Sequence, residues 1–424
     1  MNQMLNEMKT RKKLNISWIV VTIMFMIAAC TGVVNLLVLT IGVIICFGIL
    51  MLYDKLYLAF PFVLFYNAMY GTAIGLSVMR MFTFFVLCNI FLHPNKKYKI
   101  RQKTAIILMI FALYIAVVMT PNIGIFSSLF IFMDILCCFV IVSDIKEKPN
   151  ALKDFFKVYT LICLISYFSG ILAGNYLEKE YTFSRFNGTF EDPNYMGFFF
   201  TIGVWALICL KLFDKWIRYC FVVILYVMML STISITAIVV NIVVWMFYLV
   251  IMKKLKLKSV GVTLIIVFMV ASLYNYGLRN PDAKVIGAFS EKIENSFNSF
   301  LLGDIGDATT GRTVLAAEHM AYFGSSTILN ILFGGIPSNS RFIHPDLRVA
   351  AHNEYVDMLL NVGIIGTIAM LGYFISALVK YWKQYKENQE DEYLFYIMGK
   401  NVWLLYAMTL TMFLDYRFLF MFLI

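Results

Sequence analysis

A chain of 424 residues that is 61% hydrophobic and 14% charged, with a mean hydropathy of +0.80, carries more apolar side chain than one water-soluble core can bury. Its net charge of +10 comes from basic clusters set between apolar runs, which marks lipid headgroups and excludes a nucleic-acid footprint. Apolar runs of about 18 residues or more recur from end to end. They predict an all-α, polytopic integral membrane protein with about 12–14 transmembrane helices and a long external loop containing short helices.

Residues 1–15 form a basic N-terminus, in which Lys9 to Lys13 lead into a hairpin rather than a signal-peptide cleavage site. The transmembrane helices of 16–276 follow. Residues 16–53 are almost uncharged. As one helix they would reach roughly 57 Å, against roughly 30 Å of hydrocarbon, so they form a hairpin turning near Thr31-Gly32. Residues 56–93 make a second hairpin, turning near Tyr70-Gly71. Further spans fall at 104–121, 124–143, 157–175, 194–211, 217–231, 235–252 and 259–276. An external loop at 174–194 interrupts this series, and a large one occupies 277–351. The C-terminal helices of 352–424 comprise spans 355–380 and 395–413 and an apolar stub, 416–424, too short to cross alone. The eight cysteines lie in or beside apolar segments without paired spacing, as packing residues do.

Lysine and arginine orient these spans. With the N-terminus inside, every basic cluster falls on one face, which holds 25 of the 35 basic residues. That face carries 22 Lys and 3 Arg, whereas the other carries 3 Lys (Lys179, Lys284, Lys292) and 6 Arg. The outer arginines are Arg185, Arg279, Arg312, Arg341, Arg348 and Arg417. A planar guanidinium grips phosphate oxygens through two parallel bonds, which an ammonium does not do, although pairing with nearby acids explains a surface arginine equally well. Arg80 lies within a span, where it can snorkel, pair with Asp134 or meet a phosphate.

The polar weight of the outer face gathers in two places. Residues 174–194 read "GNYLEKEYTFSRFNGTFEDPN", in which Asp192-Pro193-Asn194 is a turn and helix start, with Asn194 as the expected cap. In the loop 277–351, Val285, Phe289, Ile293 and Phe297 recur every four residues, predicting an amphipathic helix on the membrane surface. Thr313 to Phe323 reads as a second helix. A loop with internal helices is a site wall rather than a linker. It ends at "HNEYVDMLLNVGIIG", residues 352–366, where Asn353, Asp357 and Asn361 form one stripe descending a helix. Such a stripe faces protein or a wet cavity, not lipid. Gly363 and Gly366 provide a small-residue spacing for close approach. His352 therefore stands at an external vestibule. A zinc site with His344 lacks a third ligand, so no metal is expected. Glu354 and Asp357 are read as orienting His352 or holding the loop arginines.

Four elements in this order carry a resemblance. "RFNGTFEDPNYMG" (185–197) is similar to an Arg-x-x-Gly-Thr-Phe-x-Asp-Pro-Asn element before a membrane span. "STISITAIVV" (231–240) stands where a Ser-Arg-Gly turn is frequent, without its arginine. "TTGRTVLAAEHM" (309–320) resembles a Gly-Arg-x-x-x-Trp region, with Ala316 in place of the aromatic. "AAHNEYVDMLLNVGIIG" (350–366) resembles a His-Asn-x-Tyr/Phe-Leu…Gly-x-x-Gly signature, with Val356 in place of the leucine. Together, over residues 185–372, the chain resembles the O-antigen ligase and O-antigen polymerase superfamily of bacterial envelope glycosyltransferases.

That resemblance implies an enzyme of the bacterial plasma membrane with a cytoplasmic N-terminus and an active site on the external, periplasmic side. The implied donor is an undecaprenyl-diphosphate-linked oligosaccharide, and the acceptor a glycan or lipid hydroxyl. Membrane lipids, a flippase and a chain-length regulator are the implied partners; no nucleic acid and no cofactor are. Matching motif to motif, Arg185 and Arg312 are assigned to the diphosphate and His352 to the acceptor, with Arg341 and Arg348 as helpers. Asn353, Glu354, Asp357, Asp192 and Asn194 are assigned to substrate binding or positioning. A polymerase of surface polysaccharide is preferred. A ligase to a lipid or cell-wall acceptor is the alternative, and a flippase of lipid-linked glycans the rival from another class, although no internal repeat supports a transporter.

Overall fold

The computed structural model describes residues 36–65, 77–93, 102–173, 176–177, 185–186, 188–190, 192–252, 271–272, 274–280, 284–303, 311–336, 351–410, 412 and 415–424. The turns expected near Thr31-Gly32 and Tyr70-Gly71, most of the span 259–276, and Arg341 and Arg348 lie outside the described residues.

Helices account for nearly all of the described chain. They are α1 (Leu36–Leu52), α2 (Phe60–Phe65, entered by a 3-10 turn at Leu56–Ala59), α3 (Val78–Leu92), α4 (Gln102–Ile123), α5 (Ile125–Glu147), α6 (Ala151–Ala173), α7 (Pro193–Cys209), α8 (Lys215–Ser231) and α9 (Ile235–Ile251). After these come α10 (Lys284–Leu301), α11 (Arg312–Ser325), α12 (Ile328–Phe333), α13 (Glu354–Asn388), α14 (Asp391–Tyr406) and α15 (Tyr416–Leu423). A two-stranded antiparallel ladder, β1 (Tyr176–Leu177) with β2 (Arg185–Phe186), joins α6 to α7. Helix α5, residues Ala151–Leu172 of α6, and α13 are long and apolar enough to cross a membrane. Shorter apolar stretches accompany them, among them α1, α3, α7, α9 and residues Met109–Pro121 of α4. Outward-facing Ile45, Phe91, Leu113, Phe126 and Trp216 keep large apolar side chains exposed, an apolar surface of the kind that hydrocarbon covers.

Helix α15 is the stub read as too short to cross, and it is a core element. Its aromatic side chains enter the bundle in three directions. Phe418 meets Phe198 at 4.9 Å, Phe420 meets Phe60 and Phe155 at 5.0 Å each, and Phe422 meets Phe374 and Trp403 at 5.2 Å each. The last carbonyls of any helix lack internal donors, and here two lysines and a tyrosine supply them. Lys400 Nζ donates to Phe422 O at 2.8 Å, Lys146 Nζ to Leu423 O at 3.5 Å, and Tyr381 Oη to Ile424 O at 3.2 Å. Lys400, one of the 25 basic residues counted on the inner face, is 1% exposed and so is packed within the protein. Arg417 is likewise buried, forked onto Asp415, with Nε 2.9 and 2.8 Å from the two carboxylate oxygens.

The segment read as the external loop 277–351 is only partly superficial. Helix α13 is broken at Gly363, whose φ of 64° and ψ of −174° interrupt the hydrogen-bond ladder. Carbonyls freed inside a bundle need donors from elsewhere. Gly335 N donates to Asn361 O at 3.0 Å, Ile336 N to Leu360 O at 2.9 Å, and Tyr114 Oη to Val362 O at 3.0 Å. Tyr114 Oη also reaches Phe333 O at 2.8 Å. The backbone after α12 thus packs beside α13 roughly two turns below its start. Only glycine fits there: a Cβ on Gly334 would lie 2.5 Å from Asn361 O, and one on Gly363 2.5 Å from Gly334 N.

Gly363→Ala should therefore lower stability by about 1–3 kcal/mol. Gly372→Ala, in the same helix but in open space, should be neutral or stabilising by roughly 0.5–1 kcal/mol. Thermal unfolding of the two purified variants in one detergent checks the contrast; equal melting temperatures would remove the role given to the break.

Candidate active site

The start of α7 shows why the 185–197 element has its composition. Gly188 lies against Gly170 of α6, where a Cβ would come within 2.5 Å of the Gly188 backbone. Thr189 Oγ1 donates to Phe65 O at 2.9 Å, and Phe190 stacks on Phe199 with centroids 4.9 Å apart. These three residues bolt the chain to the bundle before it turns. Asp192, not Asn194, is the cap: Asp192 Oδ1 accepts the Asn194 N–H at 2.7 Å and Asn194 Nδ2 at 2.8 Å. Pro193 takes the first helical position, where a missing N–H costs nothing, and this sets the cap at Asp192, two residues earlier than the expected Asn194. Asn194 faces sideways instead, accepting from Ser234 Oγ at 2.8 Å, while Ser234 caps α9 by accepting the Ala237 N–H at 3.2 Å. One polar chain therefore ties the starts of α7 and α9 together. Below it, Asn241 Nδ2 donates to Thr201 Oγ1 at 2.8 Å, and Thr201 meets Tyr406 Oη at 3.2 Å, which adds α14 to the same joint.

Above this joint is a cavity of about 260 Å³. Its walls come from six separate segments. Asn194 contributes from α7, Thr236 from α9, Lys292 from α10, Arg312 from α11, His352 from the entry to α13, and Thr409 from the turn after α14. Asn353 joins His352 at the rim and caps α13, its Oδ1 accepting the N–H groups of Tyr355 at 3.1 Å and Val356 at 3.3 Å. Arg312 is the first residue of α11, after Gly311 in the left-handed conformation. Its Nη1 lies 3.5 Å from Thr236 Oγ1. Burial pushes the Arg312 pKa down, and the charge of Asp192 pulls it the other way; an arginine so placed stays cationic. Among the described residues no carboxylate lines the cavity, and none gathers with His or Cys as a metal-holding trio.

His352 has φ of 51°, a left-handed backbone that is uncommon outside glycine, although asparagine, aspartate and histidine adopt it more readily than most. Held strain of about 1–3 kcal/mol gathers at functional sites. The conformation turns the chain into α13 and leaves the half-buried ring at the cavity wall.

The remaining expected residues separate. Glu354 is fully buried: its N–H donates to Ala407 O at 2.7 Å and its Oε2 accepts the Met412 N–H. It clamps the start of α13 to the turn after α14, so its described hydrogen bonds serve the scaffold that carries both His352 and Thr409. Asp357 is also fully buried, one turn below, where its carbonyl accepts from Asn361 Nδ2 at 2.6 Å. The polar stripe therefore faces protein. Arg185 sits in β2, in register with Leu177. His319 is buried in α11, its Nδ1 2.8 Å from Leu315 O. Arg80 stacks on Phe130, 3.9 Å from the ring centroid.

Lys292 is the cavity residue that motif comparison missed. Its Nζ donates to Ile233 O at 3.0 Å, in the α8–α9 turn of the 231–240 element whose expected arginine is missing. The signal was present but divided. Lys292 was one of the outer basics, and its helix was visible from the spacing of Ile293 and Phe297. Thr236 lies within the 231–240 element without being distinguished there, and nothing in the sequence marked Thr409.

Asp192→Ala should cost about 1 kcal/mol of stability, and Asp192→Asn much less, because asparagine caps nearly as well. Equal losses on thermal unfolding would show that the cap is not what Asp192 contributes. No family model matches the chain, and no curated protein matches it.

Proposed function

We propose that the protein is a multi-pass glycosyltransferase of the bacterial plasma membrane, with about 12–14 spans and a cytoplasmic N-terminus. In this reading the cavity opens at the external face. It transfers oligosaccharide from an undecaprenyl-diphosphate carrier to an acceptor hydroxyl, extending a surface polysaccharide. The observation that carries the reading is that Arg312, His352 and Asn194, from three motifs far apart in sequence, line one cavity.

The chemistry follows from the groups at hand. His352, through a neutral ring nitrogen, takes the proton of the acceptor hydroxyl as its oxygen bonds to the anomeric carbon. The carbon–oxygen bond to the diphosphate breaks, and its electron pair leaves with the lipid diphosphate. Arg312 stabilises the charge that grows on that leaving group. Fixed cations count most where charge develops in a water-poor site. Asn194, Asn353 and the threonine hydroxyls offer donors and acceptors for sugar hydroxyls. No step requires a cofactor. Arg185, Arg341 and Arg348 remain assigned to the diphosphate, and Glu354, Asp357 and Asp192 to holding the walls.

The variant that isolates the base is His352→Asn, because asparagine tolerates the left-handed backbone that alanine would strain. Both His352→Asn and Arg312→Ala should lower polymer formation by at least about a hundredfold while membrane protein levels hold. Immunoblots of polymer and of protein in cells carrying each variant make the measurement. Polymer of normal length and yield in both would sink the reading.

A further inference from the structure

Helix α10 turns some polar residues to the cavity while leaving apolar ones exposed beside its other polar residues. Lys292 and Ser296, one turn apart, line the cavity. On another face Phe297 and Leu301, also one turn apart, are 58% and 66% exposed, and Leu302 follows at 85%. The helix meets the bundle through Ile293, which packs on Ile233. A helix with exposed apolar residues on one side and a basic residue on another is built to lie at a hydrocarbon–water boundary. The cavity beside it carries two cations, Arg312 and Lys292, against no carboxylate among the described lining residues. Each cation has a neutral oxygen among its partners: Thr236 Oγ1 for Arg312 and Ile233 O for Lys292.

We propose that Lys292 is the second cation of the phosphate subsite, facing Arg312 across the cavity, and that α10 recognises a membrane-borne diphosphate. This rests on the reading of the cavity as the donor site. It adds a residue that no motif supplied and a reason for the helix to lie where it does. The guanidinium grips the planar oxygens of one phosphate, while the ammonium supplies a compact charge that adapts to the other. The exposed apolar face sets α10 at the depth where an isoprenoid diphosphate presents its head, so a soluble diphosphate gains less from the site.

The test uses the full chain in phosphatidylcholine nanodiscs, with farnesyl diphosphate as probe and inorganic diphosphate as competitor. Lys292→Gln keeps a donor for the Ile233 carbonyl but loses the charge, whereas Lys292→Arg keeps the charge. Farnesyl diphosphate should bind the Gln variant at least about tenfold more weakly than wild type, and the Arg variant within about threefold. Raising salt should weaken wild type more than the Gln variant. Wild-type affinity in Lys292→Gln would reduce the residue to a bolt on the turn and overturn the proposal, while weaker binding in Arg312→Ala alone would leave the donor-site reading standing. Inorganic diphosphate competing as well as the farnesyl compound would overturn the membrane-borne source. No binding to wild type would remove both this proposal and the reading beneath it.

Discussion

Backbone carbonyls released by the break in α13 have to find donors within the protein, and those donors fix the upper half of the molecule. Leu360, Asn361 and Val362 accept from Ile336 N, Gly335 N and Tyr114 Oη, groups distant in sequence from all three. The contact is backbone on backbone, which Gly334 and Gly363 permit and any Cβ would prevent. Once the chain after α12 is held there, the short link Ser326-Thr327 leaves α11 little freedom. Phe323 of α11 joins Ile336, Ala351, Val356 and Leu360 in one small apolar cluster against α13. Arg312 begins α11 and His352 precedes α13, so a helix break two turns down determines that a cation and an imidazole meet at the same cavity.

The other anchor lies at the far end of α15. Its eight residues could not be stable alone, since short isolated helices are marginal in water. Aromatic packing on three sides and donors from Lys400, Lys146 and Tyr381 replace what length cannot provide. Burying an ammonium is tolerated when it is hydrogen-bonded and faces the negative end of a helix dipole. Lys400 satisfies both conditions, and the ring of Phe374 lies 4.6 Å from its Nζ. With α15 fixed, the turn after α14 is fixed too, and Glu354 joins that turn to α13. The cavity floor is therefore rigid on the α13–α14 side, whereas α10 rests on the bundle through Ile293 at Ile233.

Two non-glycine left-handed residues stand at the cavity surroundings, His352 and Ile233, with φ of 51° and 50°. A β-branched residue in that conformation is costly, and Ile233 is held there by burial and by Lys292 on its carbonyl. In the proposed reaction one strained turn presents the imidazole to the acceptor hydroxyl, and the other holds Lys292 beside the leaving group. Positive charge without a carboxylate among the described lining residues, several neutral hydroxyls and one imidazole suit an anion that departs from a sugar.

Residue pattern alone was sufficient for the helical class and for most helix boundaries, because apolar length and flanking polar residues are local quantities. The α6–α9 series and the helices at 284–301 and 312–325 fall close to where periodicity put them. Motif order pointed to Arg185, Arg312 and His352 as one group; the cavity lining holds Arg312 and His352 with Asn194, each beside a cap or turn that local residues announce. Other features were invisible there. Glycine spacing at 363 and 366 reads as close approach but does not say that a helix breaks, nor what reaches the freed carbonyls. Charge counts Lys400 among the basic residues of one face, and only the position of α15 decides that it is buried. Lys292 and Thr409 join the site through folding of segments more than a hundred residues apart. Local sequence determines which bonds a segment can make by itself; the partners of unsatisfied donors, acceptors and charges are chosen only when distant segments pack.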